Sequence, residues 1–122
     1  MIAYREPGAP VVEALLNDSA AVCYAHAVNL CEVFYDSLRT TDEIQAQQAI
    51  DDLYTAGVIE RRDLSRSFWE STGKLKSRGR ISLADCFCIA LAQSLGGEVV
   101  TSDHHEFDLL AQLGIVPIRF IR

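Results

Sequence analysis

The stretch Ile81–Ala92, ISLADCFCIALA, decides how the rest of the chain is read. From Leu83 to Ala92 nearly every side chain is apolar or a cysteine, and one carboxylate, Asp85, stands in the first turn. A segment that is apolar on most sides belongs to a helix packed between neighbours. Ser82 has the place of an N-cap, and Ser82-x-x-Asp85 is a box-like start that also sets a carboxylate at the positive end of the helix dipole. Gly96-Gly97 stops the helix. Capping accounts for Asp85, and so does service as a ligand; one carboxylate can fill both roles.

Working outward, EVVTS after this helix reads as a strand, HEFDLLAQLG as a short helix and IVPIRFI as a last strand. On the other side, a helix from Leu64 to Ser77 turns Leu64, Phe68, Trp69, Thr72 and Leu75 toward a core. VIERR is a short strand. TTDEIQAQQAIDDLYTAG is a helix opened by the box Thr40 to Glu43 and closed at Gly57, with Ile44, Ile50, Leu53 and Tyr54 inward. AVNLCEVFYDSLR carries Val28, Cys31, Phe34, Tyr35 and Leu38 on one helical stripe, and a strand precedes it near Ala21 to Ala25. EPGAP marks an early turn, after which Val11, Val12, Leu15 and Leu16 recur at helical spacing. Strands alternate with helices throughout. That order predicts an α/β fold with a mainly parallel sheet and helices on both faces. In such sheets, sites form beyond the carboxyl ends of the strands. No repeat or internal boundary breaks residues 1–122, which read as a single domain.

Composition narrows the classes. A chain of 122 residues buries enough surface to fold without disulfides. Cys23, Cys31, Cys86 and Cys88 lack zinc-site spacing, so they read as small buried hydrophobes in a reducing compartment. No apolar run approaches membrane-spanning length and no secretory pattern opens the chain, which predicts a cytoplasmic protein. A net charge of −6 does not mark a nucleic-acid binder. Its distribution says more. Between Arg61 and Arg80, seven cations (Arg61, Arg62, Arg66, Lys74, Lys76, Arg78, Arg80) face only Asp63 and Glu70. A site for an anionic partner and a solvated helix face both fit that asymmetry.

Three acids sit at strand-to-helix junctions: Glu32 one turn into its helix, Asp85 in the apolar helix, and Asp103 at the end of EVVTSD. Clustered carboxylates repel and need a cation. Oxygen donors alone suit Mg²⁺ or Mn²⁺, which polarise phosphoryl oxygens and acidify water. Singly, each acid also has a structural use: Asp85 and Asp103 as caps, Glu32 as a surface helix former. His104 and His105 read as exposed, and His26 as an N-cap-like residue. The spacing of Phe68 and Trp69 with Leu64 and Leu75 favours core over base stacking.

Together, AVNLCEV, GRISLADCFCIALAQSLGGEVVTSD and LGIVPI resemble the PIN-domain family, and within it the VapC-like toxin ribonucleases of prokaryotic toxin–antitoxin pairs. The resemblance implies a three-layer PIN-like fold and a metal-dependent endoribonuclease using Mg²⁺ or Mn²⁺. It also implies an RNA substrate, a homodimer, and silencing by a cognate antitoxin. The family's acidic residues map onto Glu32, Asp85 and Asp103, and its threonine, which positions the last acid or a water, onto Thr101. Lys74, Lys76, Arg78 and Arg80 become contacts to the RNA backbone. The likeness departs at the start. The family opens with a central strand that ends in an aspartate, whereas MIAYREPGAP resembles the first helix and loop that come after that strand. Asp18 in NDSAAV is no substitute, lying only fourteen residues before Glu32. The expectation is therefore a fold with its first central strand missing, neighbouring strands deprived of ladder partners, and an impaired nuclease. The alternative is a catalytically silent PIN-fold module that binds antitoxin or dimerises without cleaving RNA.

Overall fold

Alternation of short strands and amphipathic helices is what the computed structural model displays, over residues 22–101 and 118–120. In chain order come β1 (Tyr24–His26), α1 (Ala27–Thr40), α2 (Glu43–Thr55), β2 (Ile59–Arg61), α3 (Arg66–Ser77), α4 (Leu83–Leu95), β3 (Val99–Thr101) and β4 (Ile118–Phe120). The readings of Val11 to Leu16, Asp18, Asp103, His104, His105 and the helix in HEFDLLAQLG lie outside the described residues.

α4 forms as its flanks dictate. Ser82 Oγ accepts the Asp85 N–H at 3.2 Å. Gly96 adopts φ 65°, ψ 30°, the left-handed geometry that glycine takes without a Cβ clash. Asp85, Cys86, Cys88, Ile89, Ala90, Leu91 and Ala92 are all buried. Removing side chains such as Ile89 and Leu91 from water contributes about 1.5–3 kcal/mol each. α3 lies along α4, α1 packs against both α2 and α4, and β1 and β3 both rest on α4. The larger core gathers Phe68, Leu75 and Val99 around α4. A smaller one joins Cys23, Ala25, Leu30 and Val58 to Ile50 and Leu53 of α2.

Both strand pairs are parallel. β1 pairs with β2 in the register Tyr24↔Ile59 to His26↔Arg61, and β3 with β4 in the register Val99↔Ile118 to Thr101↔Phe120. No ladder joins β1 to β3 among the described residues, so the sheet stands as two halves on one helix.

Several local expectations need correction. α2 is capped by Asp42, whose Oδ1 accepts the Gln45 N–H at 2.8 Å. Thr40 instead closes α1, its hydroxyl bonded back to the Asp36 carbonyl at 3.0 Å. Packing against α1 selects the inward face: Ala46 is fully buried and Ile50 and Leu53 are half-buried, while Ile44 is 80% exposed and Tyr54 is exposed. Ile44 precedes Ala46 by two residues, about 200° around the helix. On α1 the buried residues are Asn29 and Leu30; Cys31, Tyr35 and Leu38 form an exposed stripe, since no described element covers that side. Cys31 is thus the one described cysteine that is not buried or core-facing. α3 begins at Arg66 behind the cap Ser65. Phe68, Thr72 and Leu75 are buried, but Trp69 is exposed because α4 covers only one side of α3, and Leu64, which lies ahead of the helix, is exposed as well.

Candidate functional site

The first turn of α4 carries the candidate acid Asp85. Asp85 is fully buried there, its backbone N–H taken by Ser82. A buried carboxylate is held by hydrogen bonds or opposite charge, because desolvation otherwise costs several kcal/mol. Across from this turn runs α1, on which Asn29 and Glu32 share a face at i, i+3 spacing. Asn29 is buried, and its Nδ2 donates to the carbonyl of Ala84 at 2.9 Å. Ala84 immediately precedes Asp85. One hydrogen bond therefore ties the acid-bearing turns of α1 and α4 together. Glu32 is half-buried beside that contact.

Of the other predicted site residues, Thr101 is the last residue of β3, which rests on α4. Asp103 lies outside the described residues. Among the described residues no cluster of three metal-ligating side chains forms. Glu32 and Asp85 supply carboxylate oxygens on adjoining helices, a donor set that fits a hard divalent cation and not a thiolate-seeking one.

Lys74 and Lys76 occupy the last turn of α3, Arg78 caps it and Arg80 follows. All four are exposed, and none forms an ion pair among the described residues. Gly79, at φ 120°, makes the turn between Arg78 and Arg80. The Ile81 N–H then returns to the Gly79 carbonyl at 2.7 Å, leading the chain into α4. The cations thus sit directly ahead of the turn that carries Asp85.

Two residues have more to do than their sequence setting suggests. His26 is the N-cap of α1, as its position implies, but it is also fully buried. Its Nδ1 accepts the Val28 N–H at 3.1 Å, and Nε2 lies 3.0 Å from the Asp63 carbonyl. A donor on one side and an acceptor on the other require the neutral tautomer protonated at Nε2. The ring stacks on Phe68 at 5.5 Å and meets Phe87 at 4.8 Å. Asn29 is the second, and sequence reasoning missed it. Its signal is a lone amide between Val28 and Leu30 in an apolar run.

Electrostatics around β2 are local. Arg61 Nε and Nη2 both donate to Asp63, at 2.9 Å each. Those bonds hold the Asp63 carboxyl below the usual range. Tyr54 Oη donates to Glu60 at 2.7 Å, and Arg62 pairs with the other Glu60 oxygen. The Tyr54 bond, then that of Arg62, pulls the Glu60 carboxyl down.

Residues 1–113 match the profile of the PIN domain. The chain belongs to the PIN-domain family. No curated protein sequence matches it. Among solved structures, VapBC-1 from nontypeable Haemophilus influenzae has the same fold, with TM-score 0.62 and 20% identity over 92% of this chain and 82% of that one. Family and fold thus agree with the resemblance carried by Arg80 to Asp103. Among the described residues, no helix is long and apolar enough to cross a membrane.

Proposed function

We propose that this PIN-domain chain is an endoribonuclease of toxin–antitoxin type that depends on Mg²⁺ or Mn²⁺. The observation that carries the reading is the buried Asp85 at the start of α4, bound through Ala84 to the helix that bears Glu32. Glu32 and Asp85 would hold the ion, with Asp103 as third ligand and Thr101 positioning that acid. When bound, the ion supplies Lewis acidity toward a phosphoryl oxygen and acidifies water. The chain's own part is to fix the carboxylates, through the Ser82 cap and the Asn29 bridge. Lys74, Lys76, Arg78 and Arg80 seat the RNA backbone by charge, without reading sequence.

The reading includes an antitoxin partner, since the VapBC-1 structure shares the fold. It also includes a homodimer, supported by the exposed stripe of Cys31, Tyr35 and Leu38 on α1. That stripe favours one second reading: a silent module that assembles through α1 and cuts nothing. Incubation of the intact chain with RNA and Mn²⁺ separates the two. Cleavage abolished by chelator and reduced at least ~100-fold in Asp85→Asn supports the nuclease, loss of a charge-stabilising group being worth that much. No cleavage at millimolar Mn²⁺, with dimers intact, supports the module.

A further inference from the structure

We infer that Asn29 is a positioning residue of the acidic site, holding Asp85 and Glu32 at the spacing a divalent cation requires; the inference rests on the metal-site reading above. Asn29 is 1% exposed. A buried amide on an apolar helix face is costly unless it bonds, so a specific contact must account for it. The contact is long-range: Nδ2 to the Ala84 carbonyl at 2.9 Å, across 55 residues of chain. Because that partner can only accept, the amide's orientation is settled, and Oδ1 is its other end.

Oδ1 is buried and has no hydrogen-bond partner among the described residues. An amide oxygen in that state wants a donor. Asn29 stands one turn before Glu32 on α1, and its Nδ2 bonds the residue that precedes Asp85, so Oδ1 belongs to the contact between α1 and α4. A water carried by a hydrated cation would be a donor of the right kind for that oxygen, since Mg²⁺ and Mn²⁺ keep several waters when bound by few carboxylates. The same amide would then do two things. Its nitrogen sets the distance between two acid-bearing helices, and its oxygen orients a water on the ion they share. Groups that hold ligands in place commonly change metal affinity about 10- to 100-fold on removal.

The test measures Mn²⁺ binding to the intact chain by calorimetry and by the loss of the free-ion paramagnetic resonance signal, with thermal melting in parallel. Asn29→Leu keeps the branched shape and the number of heavy atoms and removes both polar ends. It is expected to raise the Mn²⁺ Kd at least tenfold. Thr72→Val is the comparison: it removes a buried hydroxyl that bonds only its own helix, at the Phe68 carbonyl. It is expected to melt earlier yet bind Mn²⁺ within twofold of the parent. Should Asn29→Leu fail to fold, Asn29→Ser, whose hydroxyl cannot span to Ala84, is expected to show the same tenfold loss. Binding by the folded Asn29 variant equal to the parent's overturns the inference and leaves the metal site standing. Losses that track melting temperature alike in the Asn29 and Thr72 variants also overturn it, as a merely structural role. A parent chain that binds no Mn²⁺ overturns the metal-site reading, and the inference with it.

Discussion

Two cationic stretches lie close together in this chain and are used differently. Arg61, Arg62 and Arg66 each have a carboxylate of their own, in Asp63, Glu60 and Glu70. Lys74, Lys76, Arg78 and Arg80 form no ion pair among the described residues, and they stand exposed before the turn that holds Asp85. The first stretch neutralises itself and is built into the fold: its Asp63 carbonyl receives the buried ring of His26. The second leaves its charge for something else. The same residue types, a few positions apart, are thus paired within the fold in one place and, among the described residues, left for the proposed RNA contact in the other. Counting charges along the sequence cannot make that distinction.

The largest effect expected from this contrast is on RNA affinity. Replacing Lys74, Lys76, Arg78 and Arg80 together by serine should weaken binding of single-stranded RNA on the order of 100-fold at low salt. The slope of log affinity against log salt should fall by about 0.7 for each phosphate that is no longer neutralised. Removing the pair Arg66 and Glu70 together should change affinity by less than about threefold, because an exposed matched pair adds no net charge to the surface. Filter binding across a salt series reads both. Equal effects from the two variants would end the distinction.

The opposite test asks whether the first stretch is structural. His26→Ala removes a cap, an aromatic contact and the donor to Asp63 at once, and should cost about 3 kcal/mol in urea unfolding. His26→Asn, which can still accept the Val28 N–H, should recover about 1 kcal/mol of that. The four-serine variant should unfold like the parent, since its residues touch no core. A His26→Ala chain of unchanged stability would sink the structural role of that junction.

Legibility in the sequence tracks the range of the interactions. α4 was readable because its grammar is local: Ser82, Asp85 and Gly96 act within a turn of themselves, and the apolar run between them needs no partner to be recognised. The βα order was readable for the same reason. Which stripe of α1 or α2 is covered was not, because periodicity defines faces and only packing selects one. Cys31, Tyr35 and Leu38 do share a face, and it is the uncovered one. Trp69 failed as a core residue likewise: α3 has α4 on one side only. The candidate acids Glu32 and Asp85 are visible in the sequence as carboxylates in apolar settings. The amide that binds their helices together is not, because its partner Ala84 is 55 residues away.

Gly79 sharpens the comparison at smaller scale, since it separates Arg78 from Arg80. Its φ of 120° is disfavoured for any residue with a Cβ, although an added methyl would meet nothing within 4 Å. Gly79→Ala should therefore cost about 1 kcal/mol through backbone conformation alone. RNA affinity should fall as well, by about threefold, on the view that the turn aims one of roughly four phosphate contacts. Stability lost with affinity unchanged would mean that the turn serves α4 and not the cations.

The smallest effect belongs to the self-neutralised stretch and depends on pH. Arg61 holds the Asp63 carboxyl below its ordinary range through two hydrogen bonds. A carboxyl depressed on folding binds protons more readily when unfolded. Its contribution is therefore fully present above the unfolded value, near pH 4, and is lost as pH falls through the folded one. Both partners are partly solvated, so the contribution is modest. Asp63→Asn should lower Tm by about 3 °C at pH 7 and by nothing measurable at about pH 2. Glu60 is depressed in the same direction by Tyr54 and Arg62, so the parent's own acid transition sums at least these two carboxylates. Only the difference between parent and variant isolates Asp63. If that difference stayed constant across the acid range, the pairing of Arg61 with Asp63 would not be what occupies the first cationic stretch, and the contrast with Lys74 to Arg80 would lose its electrostatic basis.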